Sequence, residues 1–271
     1  MNQQQSFIVA ILAACVVVFS GSAILFHESS SEQVGDRDVM TQVSILQGLM
    51  VGDYYGSMTV GELLRHGDIG LGTFDALDGE MIVLNGVCYQ ATGDGSVRVA
   101  DKGTTVPFAC VTHLDREFLF DLESVTSMED LKTRMDAQIA KHSSNYMYVA
   151  TLKVTFDTLQ VRSELSQNEP YKPLTEVLEH DERRFDHSDV TGTVVAVYCP
   201  AYMSTVNSAG WHFHFLSDDL KVGGHVLQLS FQKASVVLDR TESLDIRLPD
   251  GEFFRNADLK VSQKDIEDVE G

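Results

Sequence analysis

Positive charge is in short supply: 20 Lys and Arg stand against 40 Asp and Glu, a formal net charge of −20. Binding nucleic acid requires concentrated positive charge to displace phosphate counterions, so the composition argues against DNA or RNA as a partner. The acid surplus favours a soluble, self-repelling surface and says nothing about chemistry. Cysteine is scarce as well. Cys15, Cys88, Cys110 and Cys199 include no CxxC pair, the spacing that a thiolate zinc cluster or a thioredoxin-like motif requires. A Cys88–Cys110 disulfide stays open, with buried free thiols the expected state. Beyond Thr41 the chain has no low-complexity tract and no internal repeat.

What is present begins with a leader. Phe7–Phe26 (FIVAILAACVVVFSGSAILF) is an uncharged, mostly apolar run of twenty residues, and twenty helical residues span about 30 Å of hydrocarbon. Residues 1–26 therefore read as an N-terminal apolar helix acting as a membrane anchor. They also read as a signal peptide cleaved near Ser20–Ala23 (SGSA), or as a lipoprotein leader with its box at Leu12–Cys15. No Lys or Arg precedes the run and its far flank is acidic, so the body is expected outside the membrane, anchored or secreted. Residues 27–40 form a polar tether.

The body, residues 41–271, has an ordinary apolar content (44% over the whole chain). Thr59-Val60-Gly61-Glu62 has the form of a capping box opening a short helix through Arg65. Ser127 opens a longer helix over 128–141, with Leu131, Met135 and Ile139 at helical spacing. Strand-like runs occupy 81–90, 146–162, 190–199, 211–216, 225–232 and 235–239, and Asn85-Gly86 is a hairpin signal. This pattern predicts an α+β fold of mostly antiparallel sheets with few helices. The stretch 163–189 is the best junction between possible halves, 41–165 and 166–271.

Three of the nine histidines fall within GWHFHFLSDDLKVGGHVL, residues 210–227. Alternate side chains of a strand share a face, which places His212 and His214 together, ~6.6 Å apart along the backbone. Trp211, Phe213 and Phe215 then face a core. Gly223-Gly224 turns the chain back, and His225 at the start of the return strand can join the pair. Three imidazoles with a fourth position open form the ligand set of a catalytic zinc. The same pattern also fits a plain hairpin with imidazoles on its polar face.

The segment GWHFHF…GGHVL, together with Gly67–Met81 (GDIGLGTFDALDGEM), Thr104–Ala109 (TTVPFA), Pro170–Val177 (PYKPLTEV) and Tyr198–Tyr202 (YCPAY), resembles the alpha-acetolactate decarboxylase family. The likeness runs in colinear order from about residue 42 to the C-terminus and leaves the leader outside. It implies zinc-dependent conversion of 2-acetolactate to acetoin and CO₂, a step of acetoin and butanediol formation, by a homodimer. By that resemblance the zinc ligands fall on His212, His214 and His225, and the catalytic residues on Glu80, Arg162 and Glu270. Thr73 would touch substrate or serve its turn. Glu267 lies one helical turn from Glu270 and is the alternative in the tail. Outside the resemblance, Glu80 reads as a turn acid, Arg162 as a strand-end charge and Glu270 as a tail residue. The chain shows no motif for TPP, PLP or biotin. Two rivals remain. A cupin-like dioxygenase would want a glutamate where Asp218 and Asp219 stand, and a non-enzymatic zinc-binding module would have no use for Arg162 or Glu80.

Overall fold

Residues 211–215 alternate an indole or phenyl ring with an imidazole, and the backbone there is extended as the alternation requires. The structure, a computed structural model, describes residues 37–262 and 264–266. In chain order its strands are β1 (Val39–Val43), β2 (Met58–Thr59), β3 (Ile69–Thr73), β4 (Glu80–Leu84), β5 (Val87–Ala91), β6 (Val97–Val99), β7 (Thr105–Val106), β8 (Ala109–Thr112), β9 (Phe118–Val125), β10 (Met147–Glu164), β11 (Glu182–Cys199), β12 (Gly210–Ser217), β13 (Gly223–Thr241) and β14 (Ser243–Arg247). The helices are α1 (Leu46–Met50), α2 (Val60–Leu63), α3 (Met128–Ile139), α4 (Leu174–Asp181) and α5 (Glu252–Asn256). A seven-stranded sheet has the order β14-β1-β8-β3-β4-β5-β6, and a five-stranded sheet the order β10-β11-β12-β13-β9. Because β10 also pairs with β13, the run β10-β11-β12-β13 closes on itself. Pairing is antiparallel except between β1 and β14, so the α+β, mostly antiparallel expectation holds for the described residues.

The local signals act as the sequence suggests. Thr59 accepts from the Glu62 amide at 3.2 Å while Glu62 accepts from the Thr59 amide at 3.0 Å, a reciprocal box. The helix it opens is shorter than expected and ends at Leu63. Ser127 accepts from the Asp130 amide at 3.1 Å, and Asp130 pairs with Arg134 at 2.7 Å. Such a cap contributes about 1 kcal/mol. Burying Leu131, Met135 and Ile139 contributes roughly 2 kcal/mol each, so packing rather than capping holds α3. Asn85 and Gly86 both take positive φ (52° and 75°), as a two-residue hairpin turn between the paired Leu84 and Val87 needs.

One core joins α3 to the aromatic face of the five-stranded sheet, with Trp211, Phe213, Phe215 and Phe156 at its centre. A second lies between the two sheets, where Leu71 and Ile82 meet Val149, Val195 and Leu216.

Two boundary expectations meet strand pairing. The possible halves are joined by it: β10 and β11, one on each side of the cut, pair in one register from Tyr148↔Tyr198 to Glu164↔Glu182, skipping only Asp157 and Asp189. The stretch 163–189 reads as a junction because it contains Pro and Glu, and apart from Phe185 its residues Glu182 to Asp189 are polar. They are polar because that end of β11 is largely solvent-facing, yet it is hydrogen-bonded strand. β1 also begins at Val39, inside the stretch read as tether. The leader and the tail beyond Ile266 lie outside the described residues. Among the described residues no helix is long and apolar enough to cross a membrane.

Cys88, Cys110 and Cys199 are free and buried, which removes the disulfide option. Burial pushes the Cys88 and Cys110 thiols up to about 12, leaving a thiolate fraction on the order of 10⁻⁴ at pH 8. Both should resist Ellman's reagent in the native protein and react once it is denatured. Stoichiometric labelling of either in the native state would contradict this packing.

Candidate active site

Strand register builds the site. His214 on β12 lies directly opposite His225 on β13, and His225 lies opposite Arg162 on β10. These three side chains therefore form one row across the sheet, with His212 two residues along β12 on the same face. The row faces β4 of the other sheet, which brings Glu80 over it.

The three imidazoles converge. His212 Nε2 stands 3.0 Å from His214 Nε2 and 2.9 Å from His225 Nδ1. His214 and His225 are buried and His212 nearly so. His214 Nδ1–H donates to the Met81 carbonyl at 2.7 Å, which fixes its tautomer and leaves the Nε2 lone pair facing inward. Glu80 Oε2 lies 3.2 Å from that same Nε2. Burial, followed by the Arg162 and Lys132 charges, pushes His212 down to about 3. Burial and the neighbouring cations hold His214 and His225 well below the usual imidazole range too. Neutral rings are the metal-binding form. Nitrogens ~2.1 Å from a tetrahedral ion sit roughly 3.4 Å from one another, so small ring shifts would admit one. The donor set fits a divalent metal, held by His212 Nε2, His214 Nε2 and His225 Nδ1.

Beside the rings, Arg162 is only 7% exposed and donates to Glu182 Oε2 at 3.1 Å, while its Nε lies 3.7 Å from Glu164 Oε1. Glu182 is shared with Arg184. A cavity opens over this group. Its polar lining is Thr73, Glu80, Arg162, Glu164, His212 and His225, and its apolar wall includes Leu46, Leu49, Leu77, Phe108, Leu174 and Leu178. Thr73 Oγ1 donates to the Gly79 carbonyl at 2.7 Å, so its hydroxyl closes the turn into β4 although the residue also lines the cavity. Of the residues expected from the sequence, the three histidines, Glu80, Arg162 and Thr73 come together. Glu270 and its alternative Glu267 lie outside the described residues.

Glu164 and Glu182 were not anticipated. Strand alternation from Arg162 would have found Glu164, whereas Glu182 is distant in sequence and follows from pairing alone. Asp218 and Asp219, where a cupin would place its metal glutamate, point elsewhere: Asp218 pairs with Lys153, and Asp219 accepts from Ser217 at 2.8 Å.

The sequence model of alpha-acetolactate decarboxylase matches residues 40–261. The chain belongs to this family. It is accordingly an enzyme of the carboxy-lyase class. The alpha-acetolactate decarboxylase of Methanosarcina mazei is 36% identical over 234 residues, covering 86% of this chain and 80% of the relative. That of Methylococcus capsulatus is 37% identical, covering 88% and 89%. The crystal structure of the family member from Bacillus subtilis strain 168 superposes with a TM-score of 0.82 at 30% identity, covering 86% of this chain and 99% of the other.

Removing one ring of the cluster should weaken the metal site without unfolding the sheet. His214→Ala is expected to lower divalent-metal affinity by at least roughly 100-fold, read by equilibrium dialysis with circular dichroism as the folding control. Unchanged affinity in a folded variant would remove His214 from the site.

Proposed function

We propose that this enzyme converts 2-acetolactate to acetoin and CO₂ with one zinc ion held by His212, His214 and His225. The observation that carries the reading is the cluster of three neutral imidazoles, two of them buried, with an acid and a guanidinium beside them, in a chain of this family. Zinc at such a site supplies Lewis-acid polarisation of the substrate's ketone and hydroxyl oxygens and stabilises the negative charge that develops there.

The chain's own groups divide the remaining work. 2-Acetolactate is a β-keto acid with a tertiary hydroxyl. Breaking its carboxyl C–C bond releases CO₂ and sends the electron pair toward the ketone, giving an enediolate that is then protonated at carbon. Glu80, 3.2 Å from His214, is the proposed acceptor of the hydroxyl proton. Arg162 has five N–H donors and can bind the substrate carboxylate or the developing oxyanion while keeping its two glutamates. A guanidinium titrates above about 12 and is poorly suited to protonating carbon. The leucine wall receives the two methyl groups and keeps water from the charged intermediate.

The tail reading gains support from Ile266, 4% exposed and packed in the cluster with Leu46, Leu49, Leu77, Phe108 and Leu174 that walls the cavity. Four residues on, Glu270 is proposed to complete the site, and Glu270→Gln should slow turnover while Glu267→Gln does not. The reverse result would shift the tail register by one turn. The leader is proposed to place the enzyme outside the membrane, anchored or released. Full-length protein recovered soluble from cells with Met1 intact would contradict an anchor.

With racemic 2-acetolactate and zinc, the chain should release acetoin. Glu80→Gln and Arg162→Ala should retain bound zinc and lose about 10²–10⁴-fold in kcat. Near-normal turnover by either folded variant would take that residue out of the chemistry, and zinc binding without acetoin would favour a binding module.

A further inference from the structure

Glu164 is a buried acid with no part in the proposed proton or charge transfers. It is 3% exposed, lines the cavity, and lies two residues past Arg162 on the same face of β10. An uncompensated carboxyl there carries a large desolvation penalty, and the cavity wall beside it is built largely of leucines. What distinguishes Glu164 is its neighbours. Its Oε1 lies 3.7 Å from Arg162 Nε, and its carboxyl lies against that of Glu80, which lines the same cavity. It therefore touches both groups assigned to the substrate, one on each sheet.

The backbone around it is fastened at the same point. Ser163 Oγ donates to the Ala91 carbonyl at 2.7 Å, and Ala91 is the ladder partner of Glu80. A Cβ on Gly93 would stand 2.6 Å from the Glu164 carbonyl oxygen, so β10 and the end of β5 approach more closely there than a side chain allows. Glu182 grips Arg162 from the neighbouring strand. The sheet carrying Glu80 and the sheet carrying Arg162 are thus joined beside the cavity, and Glu164 is one of the side chains at that seam.

We propose that Glu164 is a positioning residue for the decarboxylation, fixing the separation of Glu80 and Arg162 by contacting both. This rests on the reading that those two groups act on the substrate. Its carboxyl need not touch substrate. A contact that spans ~1 Å more or less in a site of this kind changes rates by roughly 10²-fold.

The test uses the zinc-loaded full chain, with acetoin release, zinc content and thermal midpoint measured for three variants. Glu164→Gln keeps the length and can still donate to Glu80 while accepting from Arg162, so it should retain most of the wild-type kcat. Glu164→Leu removes both contacts and should lose roughly 10²-fold in kcat, with zinc retained, KM changed less than kcat, and a midpoint equal to or above wild type. Glu164→Asp keeps the charge but is one methylene shorter, and should fall with the leucine variant. It decides the matter if the leucine variant does not fold. Wild-type kcat in Glu164→Leu or Glu164→Asp would overturn the proposal. So would a Glu164→Gln enzyme as slow as the leucine variant, since charge rather than reach would then matter. Failure of the wild type itself to make acetoin would overturn the underlying reading, and the proposal with it.

Discussion

Three imidazoles pressed together inside a protein cannot satisfy one another. At 2.9 and 3.0 Å, His212 Nε2 faces two other ring nitrogens and has at most one proton to share between them. Protonating the rings is no remedy, because burial and the nearby cations oppose it. A cation among the lone pairs would resolve the conflict, and much of the surrounding structure keeps the three rings turned toward one another. The Met81 carbonyl orients His214. The aromatic side of β12 packs on α3 and anchors the strand from behind. The β12–β13 register sets His214 opposite His225.

The charges around the rings follow from that centre. An acidic chain of net charge −20 repels an anionic substrate at long range, but salt confines that effect to about 8–10 Å. Inside the cavity the balance is local. One buried arginine is held between two glutamates, and a third acid lies against a histidine. Burial raises Glu164 above the ordinary carboxylate range, with the Arg162 charge working against that rise. The pocket thus sets three acids against one guanidinium, a surplus that a bound divalent cation would offset, leaving Arg162 to meet a carboxylate.

Much of the site was legible in the sequence because strand alternation is a two-residue rule. HxH on one strand and a histidine opening the next specify a shared face by spacing alone, and the family blocks name the acid and arginine beside it. The capping box at Thr59 and the hairpin at Asn85-Gly86 were legible for the same reason, since each is complete within four residues. What escaped depends on distant pairing. Residues 182–189 have the composition of a linker and the hydrogen bonds of a strand. Glu182 becomes a partner of Arg162 only when β11 is laid against β10. The parallel pairing of β14 with β1 joins two ends of the sequence that no local pattern connects.

Three convergent ring nitrogens of this kind are expected to hold one metal ion. Crystals of the full chain grown with zinc, with diffraction recorded on both sides of the zinc absorption edge, test it directly. One anomalous peak per chain is expected, ~2.1 Å from His212 Nε2, His214 Nε2 and His225 Nδ1, with Glu80 and Arg162 bordering the same cavity. Zinc bound elsewhere, with the three rings still in contact as they are at 2.9–3.0 Å, would contradict it.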